Sequence, residues 1–227
     1  MSLNRKLLAP FWRPDIIPKR VGGKSHWLTA TDYLSPGDRV LSAGAGNDIS
    51  FELSLIRDYQ LHVTLLDPSP TGKQTGEAAA AETPELTFEA VGLAGESGQL
   101  TFAEPFDGES NQATTSGNRK LVHLDVTTLD SILERHQIKR SSLLKLDIEG
   151  MEYPVLQQLC ARPAMIFDQI LVEVHHHLPG KHLWQMRLKT LGLLLGLRQK
   201  GYRLFAKASG NLSFLHDLAT RHRNGDA

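Results

Sequence analysis

The sequence is poor in cysteine: Cys160 stands alone among 227 residues. A lone thiol closes no intramolecular disulfide, so a buried core must hold the fold, and a reducing, cytoplasmic location is expected. Cys160 sits in the apolar run 155–160 and reads as a small buried hydrophobe rather than a nucleophile. Net charge is missing too. Lys and Arg number 25 and Asp and Glu number 25. Such a balance leaves no long-range field for a polyanion and argues against a nucleic-acid substrate. No stretch approaches the ~18 apolar residues of a membrane span. The richest, 191–197, is short and broken by Gly192 and Gly196. The N-terminus mixes charge with proline and lacks the apolar centre of a secretory signal. No internal repeat is visible.

What remains is the composition of an ordinary globular chain, 41% hydrophobic and of a length that suits one α/β domain. Residues 1–30 carry Pro10, Pro14, Pro18 and Gly22-Gly23, with six Lys or Arg residues against Asp15. They read as an irregular basic extension before a single domain over 31–227. Inside it, apolar runs alternate with helical patterns. Strands are predicted over 39–43, 61–66, 86–91, 142–146 and 169–174, with an extra strand over 99–102. Helices are predicted over 51–56, 77–82, 129–136, 152–160 and 181–200, the first capped by Asn47 or Asp48. Residues 104–120 are polar and rich in turn formers, a surface loop. The tail reads as a hairpin, 202–207 and 212–215, turning through Ala208-Ser209-Gly210-Asn211. Alternation of this kind implies a mostly parallel sheet, to which the hairpin adds one antiparallel strand.

In such a sheet, ligands bind beyond the carboxyl ends of the strands. The first strand ends in Gly44-Ala45-Gly46, where glycine allows sharp turning and close approach to a ligand. A dinucleotide fingerprint wants a third glycine at position 49, and Ile49 stands there, which counts against NAD. The Gly22-Gly23-Lys24-Ser25 run is not a phosphate loop either, because Pro18 occupies the place of its first glycine. The second strand ends in Asp67, a short acid placed to accept the hydroxyl hydrogens of a ribose or to form a turn before Pro68. The fourth ends in Lys145-Leu146-Asp147-Ile148-Glu149-Gly150-Met151-Glu152, and the fifth in Glu173, His175 and His177. If the strand continues, Asp147 and Glu149 share one side.

The run 145–152 resembles the signature of the FkbM-type methyltransferase family. In order along the chain, 44–52 (GAGNDISFE), 66–70 (LDPSP), 91–102 (VGLAGESGQLTF), 128–133, 170–175 (ILVEVH) and 201–214 also resemble methyltransferase motifs. The resemblance implies a Rossmann-like class I methyltransferase fold: a seven-stranded, mostly parallel sheet ending in an antiparallel hairpin. It implies S-adenosylmethionine as donor and O-methylation of a small-molecule, sugar or natural-product hydroxyl. Carried onto this chain, Gly44 and Gly46 would line the methionine and ribose, Asp67 would hold the ribose hydroxyls, and Asp147 would face the methionine end and the acceptor. Ala45, Pro68, Ser69 and Gly92 fall in the same motifs and complete the donor set. Ser42 stands where many class I methyltransferases have an acid, so the methionine ammonium needs another partner. Asp48 or Glu52 could serve, although a glutamate in a first helical turn also simply complements the helix dipole.

A hydroxyl acceptor needs alignment and a base. His175 is the candidate base, since an imidazole titrates near neutral pH. Asp147 and Glu149 stand beside it as candidate catalytic acids. Asp147, Glu149, Glu173 and His175 also form an oxygen-rich set that suits magnesium or manganese over zinc, but the metal-free reading is preferred. Two other readings stay open: a module that binds S-adenosylmethionine without turnover, and a nucleotide-dependent oxidoreductase.

Overall fold

The computed structural model describes residues 11–13, 15–103, 121–175 and 183–221. The expected loop over 104–120, His177 and the predicted helix start at 181 lie outside these residues. Five parallel strands form the centre of the main sheet: β3 (Arg39–Ala43), β4 (His62–Leu66), β5 (Leu86–Glu89), β9 (Ser141–Leu146) and β10 (Phe167–Glu173). Every residue of β9 is buried, as the near-continuous apolar runs of a sheet covered on both faces require. The last hairpin joins β11 (Tyr202–Ala208) to β12 (Asn211–His216), and β12 runs antiparallel to β10. Ser209, at φ +53°, makes the tight turn between them. The order β11-β12-β10-β9-β3-β4-β5 is the seven-stranded, mostly parallel arrangement that the family resemblance implies.

Side chains alternate between the faces, so neighbouring residues feed separate cores. Leu41, Leu144 and Ile170 join the core beneath α3 (Leu129–Arg135), α4 (Glu152–Ala161) and α5 (Leu183–Gln199). Val40, Leu143 and Leu171 join the one beneath α1 (Ser50–Tyr59) and α2 (Pro70–Glu82).

Four local readings change. Residues 19–29 are not wholly irregular: β1 (Lys19–Val21) and β2 (Trp27–Thr29) pair antiparallel and place Val21 and Trp27 in the second core. Helix α2 starts at Pro70 rather than 77, because Ser69 Oγ accepts from Gly72 N at 3.0 Å and proline occupies the first turn. The strand predicted over 86–91 stops at Glu89, where Val91 N bonds back to Glu89 O. Beyond it the extra strand expected over 99–102 is β7 (Gly98–Ala103), and it joins two unexpected strands, β8 (Leu121–Thr127) and β6 (Gly92–Leu93), in a small sheet.

Candidate active site

From β3 the chain winds toward β4 and β5, whereas β9 and β10 lie on its other side. The loops leaving β3 and β9 therefore diverge, and a crevice opens at the strand tips. The cavity there has a volume of about 230 Å³. It gathers the glycine loop 44–46 with Asp48 and Glu52, the stretch 67–69 after β4, and Gly92. Asp147 and Glu149 close the opposite wall. His175 does not line the cavity but stands behind that wall. Thus all the candidate donor residues meet in one place.

Gly44 (φ +96°) has no room for a side chain: a Cβ there would lie 2.0 Å from Asp147 O. Asp67 is buried and fixes the loop, its Oδ2 accepting from Ala45 N at 2.7 Å and Gly46 N at 3.0 Å. Oδ1 accepts from Ser69 N at 2.7 Å and Ser69 Oγ at 2.6 Å. These four bonds use all four lone-pair positions of the carboxylate. Asp48 is similarly committed, accepting from Ser50 N at 2.9 Å and Ser25 N at 2.8 Å. Burial works against its charge, but those N–H groups hold its carboxyl down at about 2. It supports the start of α1 as expected, although Ile49 occupies the cap position.

Beneath the loop lies a charged group that sequence reasoning left without a role. Lys145, next to the last residue of buried β9, reaches Gly44 O at 2.5 Å and Glu52 Oε1 at 3.3 Å. Ser42 Oγ donates to the same Oε1 at 2.5 Å. Burial disfavours the Lys145 ammonium, yet Glu52 and Asp147 outweigh that cost and hold its pKa above the usual value. The indole of Trp27 lies 5.7 Å from Nζ and lines the cavity, packing on Phe51 as well. Glu52 Oε2 is buried without a hydrogen-bond partner among the described residues. The helix-dipole reading of Glu52 is therefore too weak, since a fully buried carboxylate is held by Lys145 and Ser42.

After β9 the chain turns at once, with Glu149 at φ +52° and Met151 N bonded to Ile148 O. Asp147 and Glu149 still both face the cavity. Behind them, His175 Nε2 lies 3.5 Å from Glu149 Oε2 and 3.9 Å from Asp147 Oδ1. Its Nδ1 lies 3.3 Å from Glu152 Oε1. Glu152, another residue the sequence did not single out, is fully buried and accepts from His175 N at 2.9 Å and Gly150 N at 2.7 Å. Burial alone would lower the imidazole pKa, but the three carboxylates push it up to about 9. That direction favours the imidazolium at neutral pH, a form without a lone pair to take a proton. Burial, with Asp147 adding to it, raises the pKa of Glu173. Donor atoms of Asp147, Glu173 and His175 lie within 4.8 Å of one another, bringing together three of the four residues suggested for a cation.

Residues 31–204 match the methyltransferase FkbM domain family. No curated protein sequence matches the chain. Among solved structures, the bifunctional kinase-methyltransferase WbdD aligns with a TM-score of 0.46 at 12% identity, over 80% of this chain and 35% of that one. MtNAS in complex with MTA and tNA gives 0.44 at 10% identity, over 82% and 55%. The METTL16 methyltransferase domain gives 0.42 at 10%, over 79% and 59%. The chain thus spans less than two thirds of each of these structures.

Proposed function

This chain belongs to the FkbM methyltransferase family, and from that premise we propose that it carries the methyl group of S-adenosylmethionine to a hydroxyl of a small molecule or glycan. The charge of the cavity carries the reading. Among its described lining residues Asp48, Glu52, Asp67, Asp147 and Glu149 are acidic, and Lys145 alone is basic. S-adenosylmethionine brings a sulfonium and an ammonium, which suit an acidic wall. A dinucleotide brings a pyrophosphate, which that wall repels.

The residues fit the donor. An ammonium would satisfy the orphaned Glu52 Oε2, and Glu52 is the better choice because both oxygens of Asp48 are already engaged. Pro68, Leu93, Leu124 and Val126 offer the apolar surface a purine needs. Asp67 holds the glycine loop to shape. Rotation of Ser69 about χ1 would free one lone pair of Asp67 Oδ1 for a ribose hydroxyl.

When bound, the donor supplies an electrophilic methyl carbon. The protein then has two tasks, to align the acceptor and to receive its proton. Asp147, partly exposed at the cavity wall, receives the proton. His175, as an imidazolium beside both carboxylates, holds Asp147 and Glu149 in place. It acts as a positioning residue.

Calorimetric titration with S-adenosylhomocysteine and with NAD tests the donor, and saturable binding of the first alone is expected. Binding of NAD, or of neither, would defeat the reading. Asp147→Asn should lower turnover by about a hundredfold or more while leaving S-adenosylhomocysteine affinity within about twofold. An active Asp147→Asn enzyme would remove the assigned base.

A further inference from the structure

Helix α5 presents four large apolar side chains to solvent: Trp184, Leu188, Leu191 and Leu195, at 60, 58, 42 and 45% exposure. They are four of the six large hydrophobic residues that stand exposed among the described residues. Their spacing of four, three and four places them in one stripe. The opposite side of the helix holds Met186, Thr190, Leu194 and Leu197, all buried. The stripe is thus additional to the side that packs on the core. None of its residues lines the donor cavity.

The helix contains no acidic residue. Exposed Arg187 and Lys189 flank Leu188, and Arg198 lies near the C-terminal end with its guanidinium over Phe11. The stripe has tryptophan at one end, and the charged residues of its helix, Arg187, Lys189 and Arg198, are all cations, which is the chemistry of a helix lying in a lipid interface. No helix of the described residues is long and apolar enough to cross a membrane, so α5 would lie along the surface.

We propose that α5 seats the protein on an anionic lipid surface, the stripe entering the headgroup boundary and the flanking cations meeting lipid phosphates. A second copy of α5 fits less well. Two-fold pairing would set cations against cations, and the stripe, ~17 Å long at 1.5 Å per residue, is short for a coiled coil.

The test is co-sedimentation of the full chain with vesicles of phosphatidylcholine, with and without phosphatidylglycerol. Binding is expected to need phosphatidylglycerol and to weaken with salt. Leu188→Gln combined with Leu191→Gln should reduce partitioning by about tenfold or more. Trp184→Gln alone should reduce it in the same direction. Because these side chains are exposed, melting temperature and S-adenosylhomocysteine affinity should stay at the wild-type values, separating a lost surface from a lost fold. The proposal is overturned if anionic vesicles do not bind the protein, or if the variants bind as wild type does. It is equally overturned if wild type is a dimer that these substitutions dissociate, or if only an acidic protein occupies the stripe.

Discussion

The charge on His175 is a structural element in its own right, and it sets a pH dependence. Its pKa rises from an ordinary value near 6.5 to about 9 in the folded protein. A raised pKa stabilises the fold fully below the unfolded value, and the contribution is lost as pH climbs through the folded one. Urea unfolding should therefore show stability falling between about pH 6.5 and 9, by at most about 3 kcal/mol. His175→Gln should flatten that slope, and an unchanged slope would mean that the imidazolium cluster is not ionised as described. A second residue-level prediction concerns Glu52. Glu52→Gln should weaken S-adenosylhomocysteine binding by about tenfold or more and barely alter that of 5′-methylthioadenosine, which has no ammonium. Equal losses for both ligands in calorimetry would place Glu52 elsewhere. Gly44, Asp67 and Asp147 were legible as residues of the strand-tip cavity because each ends a readable strand. Lys145 and Glu152 were harder. Lys145 lies among the leucines of a buried strand, and a buried charge shows its purpose only once its partner from another element is known. Ser42 was the clue, since the serine that replaces an acid proves to donate to Glu52.

At the scale of elements, the helix glycines separate by what surrounds them. An added Cβ at Gly72 would lie 2.1 Å from Asp67 Cγ, and at Gly76 2.2 Å from a Phe88 ring carbon. Gly192 has nothing within 4 Å. Exchanging glycine for alanine in a helix interior normally stabilises by about 1 kcal/mol. Gly192→Ala should realise that gain as a higher melting temperature. Gly72→Ala and Gly76→Ala should lower it, and Gly72→Ala should also disturb the Asp67 contacts with the loop. A rise in all three variants would show that the α2 glycines are not packed against their neighbours. The main strands were legible because a doubly covered sheet leaves apolar runs in the sequence. β1 and β2 were not, since three-residue strands amid Pro18 and Gly22-Gly23 give no usable period. Of the β6-β8-β7 sheet only β7 was legible, because β6 has only two residues and β8 follows a long polar stretch.

Over the whole molecule, strands and helices that are remote in sequence contribute to one cavity, so its ligand should stabilise them together. S-adenosylhomocysteine at a hundred times its dissociation constant should add ~2.7 kcal/mol. For a chain of this length each kcal/mol is worth about 2–4 °C, and the melt should move as one transition. A calorimetric scan in which only part of the transition shifts would show that the cavity is not coupled to the entire sheet. The order of the main-sheet strands and their helices was readable from alternation alone. What alternation cannot show is which early residues fold back over the strand tips. Ser25 and Trp27 do so, tied down by the bond from Ser25 N to Asp48. Both precede the stretch 31–204 that matches the family. This side of the cavity is therefore built from sequence outside the stretch matched to the shared domain, and two relatives with the same strand tips can differ in the shape and polarity of that wall, and hence in which ligands they admit.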